Sequence, residues 1–344
     1  MMILLRHPDA HVVVEELAHG RRSVRVSPFN RDLFMQRDHW ETSYPVDLLQ
    51  KMLRTLGPTW LCDEIMREED PAYVRKNLES DLFAYFTRCE LEGKRILDFG
   101  CGCGASTVLL ARIFPEANIA GVELNPDLLS IAKSRIEFYG YPNVKFFRSP
   151  SGSELPGDIG RFDFVIMSAV YEHLLPQERK TILPRIWKLI MDGGYLFIDQ
   201  TPHRLFPIEL HTTMLPFVNY LPKPLALEFA RRFSRRVGRD ESWETLLRKG
   251  IRGGTVREIL RFLSEGEGHS ILLEPHHLGL RDRIDLWSFT TKRESLPAAK
   301  PLIKALMKVL KFVTGISLVP CLSLAIQKKR TLGETGISQH TDHH

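Results

Sequence analysis

The sequence predicts an α/β fold: a doubly wound, mostly parallel sheet with helices on both faces, an N-terminal helical cap and a helical insertion after the fifth strand. Three observations predict it. The apolar residues Ile96 and Leu97 run into the glycine cluster Gly100, Gly102 and Gly104, and Val108, Leu109, Ala111 and Ile113 then recur at helical spacing. Strand, glycine loop and helix in that order form the layout of a nucleotide site at the carboxyl edge of a parallel sheet. The alternation then repeats through Ile119–Glu123, Val144–Phe147, Phe164–Met167 and Gly193–Ile198, with helical spacing between the strands. Finally, 344 residues of ordinary globular composition suffice for a sizeable core and about two structural units.

Composition narrows the classes. The net charge of +5 is mild and singles out no nucleic-acid partner. Cys62, Cys89, Cys101, Cys103 and Cys321 are odd in number and lack a disulfide-framework spacing, which predicts reduced thiols and a cytoplasmic protein. The opening Met-Met-Ile-Leu-Leu-Arg-His-Pro is too short for the apolar region of a signal peptide.

Taken in order, residues 1–90 read as a mostly helical cap. His11–Glu15 and Arg22–Val26 have the pattern of two short strands around Gly20. Leu48, Leu49, Met52, Leu53 and Leu56 then mark a helix stopped by Gly57-Pro58, and Pro71 opens another running through Leu78, Leu82, Tyr85 and Phe86. Residues 91–202 hold the core. Within it, Asn125 and Pro126 cap and start a helix through Leu128, Ile131, Ala132 and Ile136, and a further helix spans Thr181–Leu189. Residues 203–300 are the insertion, a proline-rich loop followed by helices near 224–237, 240–249 and 254–264, with Ile284–Phe289 as a strand of the sheet. Residues 301–330 form an amphipathic helix and a last strand, Leu322–Ile326; residues 331–344 are polar and predicted to be a disordered tail.

The glycine loop alone fits a dinucleotide fingerprint, since Gly100, Gly102 and Ala105 satisfy G-x-G-x-x-G/A. The acids point elsewhere. Asp98 ends the first core strand, where a pyrophosphate is repelled and a cation attracted, and Glu123 ends the next strand, suited to two ribose hydroxyls. A ligand with a ribose, a cationic amino-acid tail and no phosphates suits this pair, and S-adenosylmethionine is such a ligand. Four motifs, in order over residues 91–202, carry a resemblance. Leu97–Gly104, Val122–Asp127, Phe162–Leu174 and Gly193–Ile198 resemble the successive strand motifs of the class I S-adenosylmethionine-dependent methyltransferases, with their Rossmann-like sheet. The resemblance implies methyl transfer from S-adenosyl-L-methionine held by Asp98, Gly100, Gly102, Gly104, Glu123, Leu124, Ser151, Gly152 and Ser168. One departure stands out. The family has an acid after its third strand, and here, aligned on Leu155-Pro156, Ser151 takes that place. A nicotinamide oxidoreductase is the first rival, opposed by Asp98. A cofactor-binding partner protein without turnover is the second, favoured by Ser151.

Methyl transfer is an in-line displacement that needs alignment, plus a base when the acceptor must lose a proton. His173 follows the fourth strand, and His203 and His211 stand in the insertion loop, so these three are the candidate bases. Neither Cys101-x-Cys103 nor His203-x5-Glu209-x-His211 is read as a metal site. The first lacks further ligands, and the second lies in a loop with no fixed helical face.

Two stretches are basic and amphipathic. Leu225, Phe229, Phe233 and Val237 oppose Arg231, Arg232, Arg235, Arg236 and Arg239, while Ile303, Leu306, Leu310 and Val313 oppose Lys300, Lys304, Lys308 and Lys311. Either the apolar faces pack on the protein and the basic faces are solvated, or the helices lie on an anionic membrane. The second case predicts a peripheral enzyme with an apolar or lipid-linked acceptor.

Overall fold

The computed structural model describes residues 1–30, 35–266, 268–291 and 299–329. The predicted tail, 331–344, lies outside the described residues.

The N-terminal unit opens with four strands where the sequence pattern predicts two, and its helices follow from Val46. Strands β1 (Met2–His7), β2 (Ala10–Glu16), β3 (Arg22–Pro28) and β4 (His39–Thr42) pair antiparallel in sequence order. The two strands read from the sequence are the central pair. The cause is alternation: Val12, Val14, Val24 and Val26 share one face and are buried against α1 (Val46–Leu56) and α2 (Pro58–Glu69). The helix expected from Pro71 to Phe86 is shorter and broken. A distorted turn over Pro71–Arg75 precedes α3 (Lys76–Phe83), and α4 (Arg88–Leu91) starts anew from Thr87, whose N–H donates to Glu90.

The core follows prediction. Strands β5 (Arg95–Phe99), β6 (Asn118–Glu123), β7 (Val144–Arg148), β8 (Phe162–Ser168) and β9 (Ile190–Pro202) are parallel. Helices α5 (Ala105–Ile113), α6 (Pro126–Tyr139) and α7 (Pro176–Leu189) connect them, and the Asn125 side chain caps α6 by accepting from the Asp127 N–H. Alternate residues feed two cores. Ile96, Phe164, Ile166 and Phe197 face one side, and Leu97, Val165, Met167, Leu196 and Ile198 the other.

The later chain departs from prediction. The insertion proper carries α8 (Lys223–Phe233) and α9 (Trp243–Arg248) around a small core of their own. By contrast α10 (Val256–Ser264), β10 (His269–Leu273) and α11 (Arg283–Thr290) belong to the layers of the main sheet, so 203–300 is not one helical insertion. Ile284–Phe289 is therefore helix and not strand. The Asp282 carboxylate accepts from the N–H groups of Ile284 and Asp285, an N-cap that overrides the apolar alternation. Helix α12 (Lys300–Thr314) and β11 (Cys321–Lys329) close the described chain. The sheet order is β10-β11-β9-β8-β5-β6-β7, and β11 alone runs against the others. The order reverses between β5 and β8, which opens a crevice at the carboxyl edge.

Both amphipathic readings need correction. Helix α8 stops at Phe233, buries Ala226 and Ala230, and leaves Leu225 and Phe233 exposed. Helix α12 is turned inside out. Lys304, Lys308 and Lys311 face the protein and pair with Asp285, Asp282 and Glu274, while Leu302, Leu306, Val309, Phe312 and Val313 are exposed. Burial alone would raise the Asp282 carboxyl, but hydrogen bonds from Lys308, the Asp285 N–H and Lys311 outweigh it and bring it down to about 2.

Candidate functional site

The glycine loop follows β5 into α5. The N–H groups of Gly100 and Cys101 both donate to the Val122 carbonyl, which ties the loop to β6. Gly100 has φ +75°, and a Cβ there would approach Val170 to 2.7 Å; Gly104 has φ +83° and abuts Ala132 of α6. Both glycines thus serve backbone conformation and close packing at once.

Asp98 is buried, and its Oδ2 accepts from Ser106 Oγ at 2.8 Å and Thr107 Oγ1 at 2.6 Å, so it also clamps the first turn of α5. Glu123 at the end of β6 accepts from the Gly102 N–H at 3.0 Å through Oε2, and from the N–H groups of Leu124 and Asn125 at 2.8 Å through Oε1. Leu124 beside it is 44% exposed, an apolar surface left open at the cleft. The loop after β7 begins where the Ser149 N–H donates to the Glu123 carbonyl. Within that loop Ser151 Oγ donates to Glu154, and Gly152 lies against Glu178.

Ser168 at the end of β8 donates to Asp199 Oδ2 at 3.1 Å. Asp199 and Asp81 were not singled out from the sequence. Gln200 Nε2 donates to Asp81 Oδ2 at 2.9 Å. Burial pushes Asp81 up to about 7. Burial, then the nearby Asp81 charge, raises Asp199 well above the carboxylate range, and burial raises Asp98 and Glu172. Four buried carboxyl groups thus converge on the carboxyl edge, an environment that favours a cationic ligand over a phosphate. The signal in the sequence was an aspartate at a core position of an amphipathic helix, between Leu78 and Leu82.

Asp81 and Gln200 line a cavity of about 640 Å³ whose other walls are mainly apolar. Phe206 and Ile208 of the insertion, Trp287 of α11 and Ile303 and Met307 of α12 contribute most of them. A second cavity of about 340 Å³ lies beside Arg95, Asn118 and Phe162, at the amino edge and away from these acids.

The three candidate histidines separate. His203 is buried, its Nδ1 bonds to the Val319 carbonyl at 3.1 Å, and burial brings its ring down to about 4. It pins the insertion to the segment before β11. His173 and His211 come together with Glu172 instead, their rings 5.5 Å apart. Glu209 is fully engaged within its own loop by the N–H groups of His211, Thr212 and Thr213 and the Thr213 hydroxyl. All five cysteines are free thiols, and burial raises Cys101 and Cys103 above the ordinary thiol range.

Residues 96–194 match a family model described as a methyltransferase domain. Over 154 residues the chain is 31% identical to a trans-aconitate 2-methyltransferase of Afipia carboxidovorans, covering 42% of this chain and 54% of that protein. A fatty-acid O-methyltransferase of Mycolicibacterium smegmatis is 29% identical over 150 residues, 41% of this chain and 53% of that one. Among solved structures, PKMT2 from Rickettsia typhi aligns over 78% of this chain and 55% of its own, at 18% identity and a TM-score of 0.44. The chain spans about half the length of these curated relatives. The family match runs from β5 into β9, and the N-terminal sheet, the insertion and α12 lie outside it.

Proposed function

We propose that this chain, whose residues 96–194 match a methyltransferase domain, is an S-adenosylmethionine-dependent enzyme that methylates an apolar, membrane-borne small molecule whose reacting group must lose a proton. The observation that carries the proposal is the position of α12. Its inner residues Ile303 and Met307 wall the cavity that holds Asp81, and its outer residues Leu302, Leu306, Val309 and Val313 form an exposed stripe. Ile208 and Leu210 at the same cavity are about 40% exposed as well. An apolar acceptor then passes from the bilayer into the cavity without crossing water. The partner is a lipid surface, and attachment is peripheral: among the described residues no helix is long and apolar enough to cross a membrane.

The chemistry follows from the carboxyl edge. Glu123 would hold the ribose hydroxyls of S-adenosylmethionine and Leu124 would lie against its base, and the bound molecule would supply an activated methyl group. Asp81, next to Gln200, would take the proton that the acceptor must lose on methylation, with S-adenosylhomocysteine as the co-product. The test is radiolabelled transfer from S-adenosylmethionine into fractionated membrane and aqueous extracts. Label in an organic-phase product is expected; label confined to a polar aqueous product overturns the acceptor class.

Two further outcomes are expected. Glu123→Ala removes the charged acceptor of two hydroxyls, and hydrogen bonds to charged groups contribute about 1.5–3 kcal/mol. Calorimetric affinity for S-adenosylhomocysteine should fall about tenfold or more in the folded variant. Second, the protein should co-sediment with liposomes, and Phe312→Asp should weaken this about tenfold or more, since burial of such a side chain contributes about 1.5–3 kcal/mol. Because Lys304, Lys308 and Lys311 are already paired with acids, high salt should weaken sedimentation little. Absence of sedimentation with the protein folded would leave α12 without a bilayer.

A further inference from the structure

Glu172, His173 and His211 form a cluster outside the cavity and outside the glycine loop. One ligand atom from each lies within 4.8 Å of the others, and Glu172 Oε1 is 3.8 Å from His173 Nε2. The Glu172 side chain is fully buried. Its Oε2 accepts from Thr201 Oγ1 at 3.0 Å, yet Oε1, which faces the histidines, is buried and has no hydrogen-bond partner. A buried carboxylate oxygen without a partner is costly, and a cation at that point removes the cost.

The two imidazoles are arranged for the same task. His173 Nδ1 meets the Arg248 carbonyl at 2.6 Å. A carbonyl only accepts, so the proton sits on Nδ1 and the Nε2 lone pair is free toward Glu172. An outer hydrogen bond of this kind orients metal-bound histidines. The His211 ring makes no hydrogen bond among the described residues, and one of its nitrogens lies within the same 4.8 Å group. Gly250 roofs the cluster: its φ is +93°, and a Cβ there would come within 2.7 Å of His211 Cδ2 and 3.1 Å of Glu172 Cγ. The His173 side chain is 43% exposed, which leaves an entry path.

We propose that Glu172, His173 and His211 bind one divalent transition-metal ion. Two imidazoles and one carboxylate suit zinc, cobalt or iron better than magnesium or calcium, which prefer oxygen alone. Ligands about 2.0–2.2 Å from such an ion lie closer together than these atoms do, so small side-chain rotations close the site on metal entry. Glu172 and His173 come from the turn after β8, and His211 comes from the insertion. The ion therefore fastens the insertion to the core through three side chains. The proposal does not rest on the methyl-transfer reading.

The test uses the full chain, dialysed against chelator and titrated with Co²⁺ by visible spectroscopy and with Zn²⁺ by calorimetry. One equivalent is expected, with cobalt d–d absorption of a mixed nitrogen and oxygen site. His173→Gln and His211→Asn should each weaken binding by more than the ~10–100-fold that loss of an outer hydrogen bond brings. His211→Asn lies on a loop, so it keeps the test decisive should His173→Gln fail to fold. The chain ends in His340, His343 and His344, a second set of imidazoles. The variant with all three replaced by Ala should bind as the parent does. Absence of stoichiometric binding, binding unchanged in the folded His211→Asn variant, or binding lost with the terminal histidines would each overturn the proposal.

Discussion

Asp81→Asn is expected to lower turnover by about 10²–10⁴-fold, the range that a positioned general base contributes, with affinity for S-adenosylhomocysteine unchanged. The substitution keeps the shape and an acceptor oxygen for Gln200 Nε2, so what it removes is basicity. Burial pushes the parent carboxyl up to about 7, and the parent turnover should therefore rise as pH climbs through about 7. That limb should vanish in the variant. Stability moves the other way. The folded value lies above the unfolded value of 3.8, so the favourable contribution of the protonated form is fully present below about pH 4. It is lost as pH rises toward 7, where the bare carboxylate must be buried. Asp81→Asn should consequently melt higher than the parent at pH 8 while turning over more slowly. Turnover equal to the parent's at pH 8 would remove Asp81 from the chemistry.

The same residue shows where sequence reading stops. The glycine turn between β5 and α5, the place of Glu123 at the end of β6 and the Asn125 cap were legible because each shows in the residue pattern of its own stretch. The five parallel strands were legible for the same reason, as each apolar run lies between its own turn signals. Asp81 became visible only through Gln200, 119 positions along the chain. The inversion of α12 depends on Glu274, Asp282 and Asp285, acids that precede their partner lysines by 19 to 37 residues and hold them inward. From the lysine spacing alone, an outward basic face was the natural expectation. The exchange of strand for helix at Ile284 has a local cause, the Asp282 cap, whereas β10 gains its place only by pairing with the last strand. Separation of His203 from His211 likewise follows from the Val319 carbonyl, more than a hundred residues beyond.

One buried cation joins the N-terminal unit to the glycine loop, and its removal should have the largest effect on stability. Arg135 of α6 has no exposed surface. Its Nη1 donates to Glu64 Oε1 at 2.9 Å and to the Cys103 carbonyl at 3.1 Å, and its Nη2 donates to the Glu64 carbonyl at 2.8 Å. One guanidinium thus holds α2, α6 and the glycine loop together. Arg135→Met keeps the apolar stem but leaves the Glu64 carboxylate and two carbonyls without their donor. Breaking a buried ion pair in this way costs about 3–5 kcal/mol, read as a fall in denaturant midpoint at constant slope. Glu64 is also near Arg67 at 3.7 Å, an exposed pair that offsets little of this loss. The double variant Arg135→Met, Glu64→Gln should recover part of the stability, because the unpaired charge goes with its partner. A carbonyl of the glycine loop is freed in both variants, so affinity for S-adenosylhomocysteine should stay reduced even where stability returns. A loss below about 1 kcal/mol in the single variant would place Arg135 with ordinary surface pairs.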